Sequence, residues 1–183
     1  MLAACAEAPP VVTLPDMGRL SDFQLIDHTG DEFSSRHMRG RIWVVDFIYT
    51  TCQAACPRMS REMKKVQDAI KDDDSVRLLS ISVDPEHDTP QVLTAFAKRY
   101  QARPGRWIFL TGDKAVVRQL QREASIDMDP EQIEQSHNKC FILVDAAGNI
   151  RGTYESDPPE TDLLLRDLRM LQRYPAMPTA LPQ

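Results

Sequence analysis

Hydrophobic positions along the chain change period several times, and each change marks an element. Phe23–Ser35 (FQLIDHTGDEFSS) alternates apolar and polar side chains, breaks at His28-Thr29-Gly30-Asp31 and resumes, which predicts a β-hairpin. Arg41–Thr50 (RIWVVDFIYT) is a nearly unbroken β-branched and aromatic run, as expected of a strand covered on both faces. Met59, Met63, Val66 and Ile70 then recur at helical spacing as far as the charged run Lys71–Asp74. A second covered strand is predicted at Val76–Val83, ending at Asp84-Pro85. Thr89-Pro90 starts a helix to about Tyr100, with the hydroxyl as cap and the proline in the first turn, where a missing N–H costs nothing. Trp107–Leu110 predicts a short strand, and Asp113 caps a helix to about Glu123. Cys140–Ser156 reads as a hairpin turning at Ala146–Asn149, and a last amphipathic helix spans about Glu160–Arg173.

This order is an α/β plan with parallel central strands and an antiparallel edge. Residues 1–20 are rich in proline and alanine and read as a flexible tail or tether, 21–173 as one domain, and 174–183 as a C-terminal tail. A length of 183 residues suits one core and is short for two. With 42% hydrophobic and 27% charged residues the composition is that of an ordinary globular chain. The net charge of −5, with both signs mixed along the sequence, argues against a nucleic-acid surface. No stretch approaches the roughly 18 consecutive apolar residues of a transmembrane helix.

Candidate chemistry is confined to a few places. Four cysteines, Cys5, Cys52, Cys56 and Cys140, are too few and too unevenly spaced for a disulfide framework. Cys52 follows a strand and Cys56 lies near the start of the next helix, where partial positive charge favours thiolate. Cβ atoms four apart in a helix are about 5–6 Å apart, whereas a disulfide needs about 3.8 Å. A disulfide therefore requires Cys52 in the loop before the helix. Two sulfurs about 2.3 Å from one soft metal can sit up to about 4.6 Å apart. The spacing suits a redox pair, a metal clamp, or two buried thiols that merely pack. Of the histidines, His28 in a turn and His37 in a polar stretch read as exposed. His87, in a loop after a strand, and His137, just before one, are equally placed for a third ligand. Cys140, Met59 and Met63 read as core packing.

Three segments together resemble the Sco/SenC family, thioredoxin-fold proteins associated with assembling the copper centre of cytochrome c oxidase. They are F-x-Y-T-x-C-x-x-x-C-P at Phe47–Pro57, S-V-D-P-x-x-D-T-P at Ser82–Pro90, and a histidine ahead of a strand ending in D-x-x-G at Asp145–Gly148. The resemblance runs from roughly Phe23 to Leu171. It implies a thioredoxin-like fold, a central mixed sheet flanked by helices with an N-terminal β-hairpin extension. It also implies copper ligands at Cys52, Cys56 and His137, with Cys52 and Cys56 doubling as a redox pair. Thiolates select Cu(I), and imidazole completes a low-coordinate site; the family resemblance extends the cargo to Cu(II). The implied partner is the copper-centre subunit of cytochrome c oxidase or another copper-handling envelope protein. The alternative is a thiol–disulfide oxidoreductase acting on an envelope client. Thioredoxin-like reductases carry a cis-proline facing their cysteines, and here no proline occurs between Glu131 and Asp157. A thiol peroxidase is the weakest reading, because the Thr/Pro and Arg setting it needs is absent around Cys52. Asp84 is a candidate supporting residue beside the metal, or simply a turn residue. The chain departs from the family at Ser136 (usually aspartate), at His87 (often arginine), and in Cys-Gln-Ala-Ala-Cys-Pro for Cys-Pro-x-x-Cys-Pro. None of these removes a ligand.

Leu2-Ala3-Ala4-Cys5 is similar to the lipobox of bacterial lipoproteins, with only Met1 ahead of it here in place of the usual basic and apolar signal. It predicts a periplasmic, envelope-located domain that meets the membrane only through a lipid anchor on Cys5.

Overall fold

The apolar run around Val44 becomes a central strand of the sheet. A computed structural model describes residues 14–53, 55–71, 73–126 and 140–174. In chain order the elements are β1 (Gln24–Asp27), β2 (Glu32–Ser34), β3 (Ile42–Ile48), α1 (Ala55–Ala69), β4 (Val76–Ser82), α2 (Pro90–Arg99), β5 (Trp107–Thr111), α3 (Lys114–Glu123), β6 (Cys140–Val144), β7 (Ile150–Glu155) and α4 (Thr161–Arg173). Among the described residues the strands form one seven-stranded sheet in the order β2-β1-β5-β4-β3-β6-β7. Strands β3, β4 and β5 run parallel because α1 and α2 carry the chain back between them. All seven residues of β3 are buried. Alternation along the strand divides them between two cores. Val44 and Ile48 meet α1 and α4 through Met59, Met63 and Leu164, while Val45 and Phe47 meet α3 through Val117 and Leu120.

The caps read from the sequence are in place. The Thr89 hydroxyl accepts the Val92 N–H at 3.4 Å, and the Asp113 carboxylate accepts the Ala115 N–H at 2.6 Å. The 3₁₀ turn at Ser35–Met38 was not signalled by the sequence. The antiparallel pairing also differs from expectation, since it closes both edges of the sheet. On one side β6 and β7 add to β3, and on the other the β1–β2 hairpin adds to β5 through Ile26↔Thr111. A hairpin pattern fixes the pairing of its own two strands and carries no signal for the third.

Residues 14–20, grouped with the tail by composition, dock on the domain. Leu14 and Leu20 are buried, the Met17 N–H donates to the Ile150 carbonyl at 3.0 Å, and the Leu20 N–H donates to the Gly148 carbonyl at 3.1 Å. Two leucines six residues apart show no periodicity, so composition alone misassigned the stretch. The β6–β7 turn they meet needs Gly148 at φ +92°, a conformation that side chains disfavour. Because α1, α2 and α3 each follow a parallel strand, their N-termini all lie at the carboxyl ends of β3, β4 and β5. That end of the sheet is where such folds gather chemistry. Cys5 and residues 175–183 lie outside the described residues, and no described helix is long and apolar enough to cross a membrane.

Candidate metal centre

Strand β3 delivers the chain to this end. After Ile48 the backbone turns, with the Cys52 N–H donating to the Tyr49 carbonyl at 3.4 Å, and enters α1 at Ala55. Pro57 stands in the first helical turn, where the absent N–H leaves nothing unpaired. The Cys56 N–H donates to the Cys52 sulfur at 3.3 Å, so Cys52 lies in the loop and its sulfur serves the open helix end. Cys56 is buried on the sheet side of the helix and Cys52 is half-buried, so Cys52 is the more accessible of the two sulfurs. Neither is in a disulfide.

The electrostatics correct one expectation. A helix start favours thiolate, yet burial is the larger effect at Cys56 and pushes its thiol far above the ordinary range. A backbone hydrogen bond from Tyr49 opposes that shift, while Cys52 and the Asp46 charge add to it. Cys56 therefore keeps its proton until a metal or a disulfide displaces it.

Asp46 is a charged residue that sequence reasoning passed over. It is fully buried in β3 and accepts the Ser80 hydroxyl at 2.6 Å; Ser80 in turn accepts the Trp107 indole N–H at 2.9 Å. Its other oxygen, Oδ2, has no hydrogen-bond partner. Burial, only partly offset by Ser80, pushes its carboxyl up to about 7. The signal was present as a single charge inside an otherwise apolar strand.

The second motif packs against the first. The Val83 N–H donates to the Ile48 carbonyl at 2.9 Å, extending the ladder to the point where the two loops leave the sheet. Asp84 pairs with His87, carboxylate to Nδ1 at 2.8 Å, and that hydrogen bond and its charge hold the imidazole above its ordinary range. His87 itself is exposed. Asp88, which sequence analysis did not single out, is completely buried between this loop and Thr50. The second motif contains it, but its role depends on Thr50, 38 positions away, so its place in the motif does not announce that role.

The remaining candidates divide. His37 is exposed as expected, whereas His28 is half-buried: Nδ1 accepts the Phe109 N–H at 3.3 Å and the ring lies edge-on to Phe109. Met59 and Met63 are core residues. Cys140 is buried in the opposite core, and burial, with smaller contributions from Glu155 and Asp46, pushes its thiol up to about 11. His137 lies outside the described residues. Among the described residues, no cluster of three His, Cys, Asp or Glu side chains could hold a metal ion. Two thiols side by side, one half-open and one buried, form a donor pair that suits a soft cation and must shed protons to take it.

Comparison with known proteins converges on one group. The SCO1/SenC family model matches residues 16–172. A curated relative, the SCO1 protein homolog of Bacillus subtilis, is 31% identical over 170 residues, covering 89% of this chain and 88% of that protein. Three solved structures share the fold. One, of BsSco, is described as a disulfide switch in a member of the Sco family of cytochrome c oxidase assembly proteins; it superposes with a TM-score of 0.79 at 28% identity, covering 88% of this chain and 98% of that one. A SCO1/SenC family lipoprotein from Bacillus anthracis gives a TM-score of 0.75 at 27% identity, covering 85% and 95%. Bradyrhizobium japonicum ScoI with copper bound gives 0.66 at 25% identity, covering 82% and 97%.

Proposed function

Because the chain belongs to the SCO1/SenC family, we propose that it is a copper-binding metallochaperone that delivers copper to, or prepares, the copper centre of cytochrome c oxidase. The observation that carries this reading is the Cys52–Cys56 pair at the start of α1, with the Cys56 N–H already donated to the Cys52 sulfur. The copper-bound Bradyrhizobium relative and the oxidase-assembly description of BsSco support it.

In this reading Cys52, the half-open thiol, meets the incoming ion first. Cys56 supplies the inner sulfur, and His137 closes the site with an imidazole. Copper is cargo: thiolates favour Cu(I), and Cu(II) would be the more weakly held form. Loading releases thiol protons, so affinity falls at low pH, and the raised Cys56 thiol extends that dependence to higher pH. A Cys52–Cys56 disulfide would consume both sulfurs, so oxidation and metallation compete. The client is the oxidase copper-centre subunit or another copper-handling envelope protein. The lipobox-like Leu2–Cys5 segment and the lipoprotein relative support an envelope location with Cys5 lipidated.

Copper titration of the reduced protein tests the site. One ion should bind, and His137→Ala should weaken binding strongly while the fold remains. Unchanged stoichiometry and affinity in that variant would remove His137 from the site. Thiol–disulfide exchange is the second reading, supported by the adjacent reduced thiols and by the switch described for BsSco. It predicts that His137→Ala spares reduction of a client disulfide, whereas Cys52→Ser abolishes it.

A further inference from the structure

We infer that Asp88 is a positioning residue for the cysteine pair, holding the turn that carries Cys52 from the neighbouring strand loop; the inference rests on the thiol site proposed above. The Asp88 side chain is 0% exposed. Its Oδ1 takes the Thr50 hydroxyl at 2.5 Å, and its Oδ2 takes the Thr50 N–H at 3.1 Å and the Ser82 hydroxyl at 2.5 Å. Its own N–H donates to the Asp84 carbonyl at 2.9 Å, which closes the loop. One carboxylate thus gathers donors from its own loop and from Thr50, 38 positions away in the chain.

These three donors are neutral. Burying a carboxylate is costly unless its lone pairs are filled, so this group must recover that cost through geometry. A carboxylate only accepts, and it can take three donors at once; an amide of the same shape would turn an N–H₂ toward one of them. Thr50 stands two residues before Cys52, at the centre of the turn closed by the Cys52 N–H to Tyr49 bond. Fixing both the N–H and the hydroxyl of Thr50 leaves that turn one orientation. The orientation brings the Cys52 sulfur to the Cys56 N–H. Thr50 from the first motif and Ser82 and Asp88 from the second therefore work as one clamp, which accounts for residues in both motifs that bear no ligand.

The test uses the full reduced chain with Thr50→Val, which keeps the branched shape and loses the hydroxyl, Thr50→Ser, which keeps the hydroxyl, and Asp88→Asn. Two quantities are read: Cu(I) affinity by competition with a chromophoric chelator, and the pH–rate profile of Cys52 alkylation by iodoacetamide, assigned by peptide mass. Circular dichroism monitors folding. Thr50→Val and Asp88→Asn should each weaken Cu(I) binding about 10–100-fold, the usual range for groups that orient a ligand, and should displace the alkylation profile. Thr50→Ser should match the parent in both. The Thr50→Val/Asp88→Asn double variant should be no worse than the worse single one. Folded variants with unchanged affinity and unchanged alkylation would overturn the proposal, as would Thr50→Ser damaging the site as much as Thr50→Val. Should the parent itself not bind Cu(I), the copper reading fails alone, and the alkylation profile still decides the clamp. Should Asp88→Asn not fold, Thr50→Val decides it.

Discussion

Asp145 and Asp88 are both buried carboxylates that close loops, at opposite ends of the same sheet, and they are satisfied in different ways. Asp145 accepts the N–H groups of Ala147 and Asn149 and the Arg151 guanidinium at 2.7 Å, all within six residues of itself. Burial alone would raise its pKa; these hydrogen bonds outweigh that and hold it below the ordinary carboxylate value. Asp88 instead receives neutral donors, two of them from Thr50. The first arrangement staples its own turn and gives stability. The second joins distant segments and can transmit geometry to a reactive pair.

The contrast breaks most visibly at Asp145. Asp145→Ala leaves Arg151, 4% exposed, without its carboxylate, and should cost about 3–5 kcal/mol of unfolding free energy. Urea titration measures that loss, and Cys52 alkylation in the folded fraction should be unchanged. A shifted alkylation profile would mean that the two ends are coupled.

Asp46 sharpens the comparison, being a buried carboxylate with one oxygen unpaired. Its pKa is raised from 3.8 to about 7, so the folded state holds a proton that the unfolded chain releases first. Its contribution to stability is therefore full below about pH 4 and falls away as pH rises to about 7. Asp46→Asn should flatten that fall, by a few kcal/mol across the window. Asp145 and Glu62 have lowered values and act in the opposite direction, losing stability as pH falls. The Asp46 part is thus read from the difference between parent and variant in urea unfolding at pH 4, 6 and 8. Parallel profiles would show that Asp46 is ionised in the folded protein at all three.

The smallest effect belongs to the helix starts around the cysteines. Asp113→Ala removes the cap of α3 and should cost about 1 kcal/mol in thermal or urea unfolding, with copper binding intact. A loss of copper affinity there would spread the positioning role beyond Asp88.

Much of this was legible in the sequence. The run around Val44, the caps at Thr89 and Asp113 and the Phe23–Ser35 hairpin are local signals, and each produced its element. The pairing of β1 with β5 was not legible, because it joins residues more than eighty positions apart with no local mark. Composition also hid the docking of Leu14 and Leu20. At the site, spacing singled out Cys52 and Cys56, and the family motif proposed His137, which lies outside the described residues. Asp46 was visible as an odd charge and went unread; Asp88 stood in the second motif with no role until Thr50 was seen beside it. His28 was misjudged because its turn is local and its partner Phe109 is not.

The docked N-terminal segment gives the domain a handle. It docks on the β6–β7 turn, which lies beside the start of β3 through the Gly40 N–H to Ala146 carbonyl bond, while Cys52 follows the end of that strand. Handle and thiols are thus separated by the length of β3, seven residues at about 3.3 Å each. If lipid holds Cys5, the nine residues from there to Leu14 pay out at most about 30 Å of line. A domain moored at one pole swings with its other pole outward. The cysteines would then sweep a shell above the bilayer rather than face it.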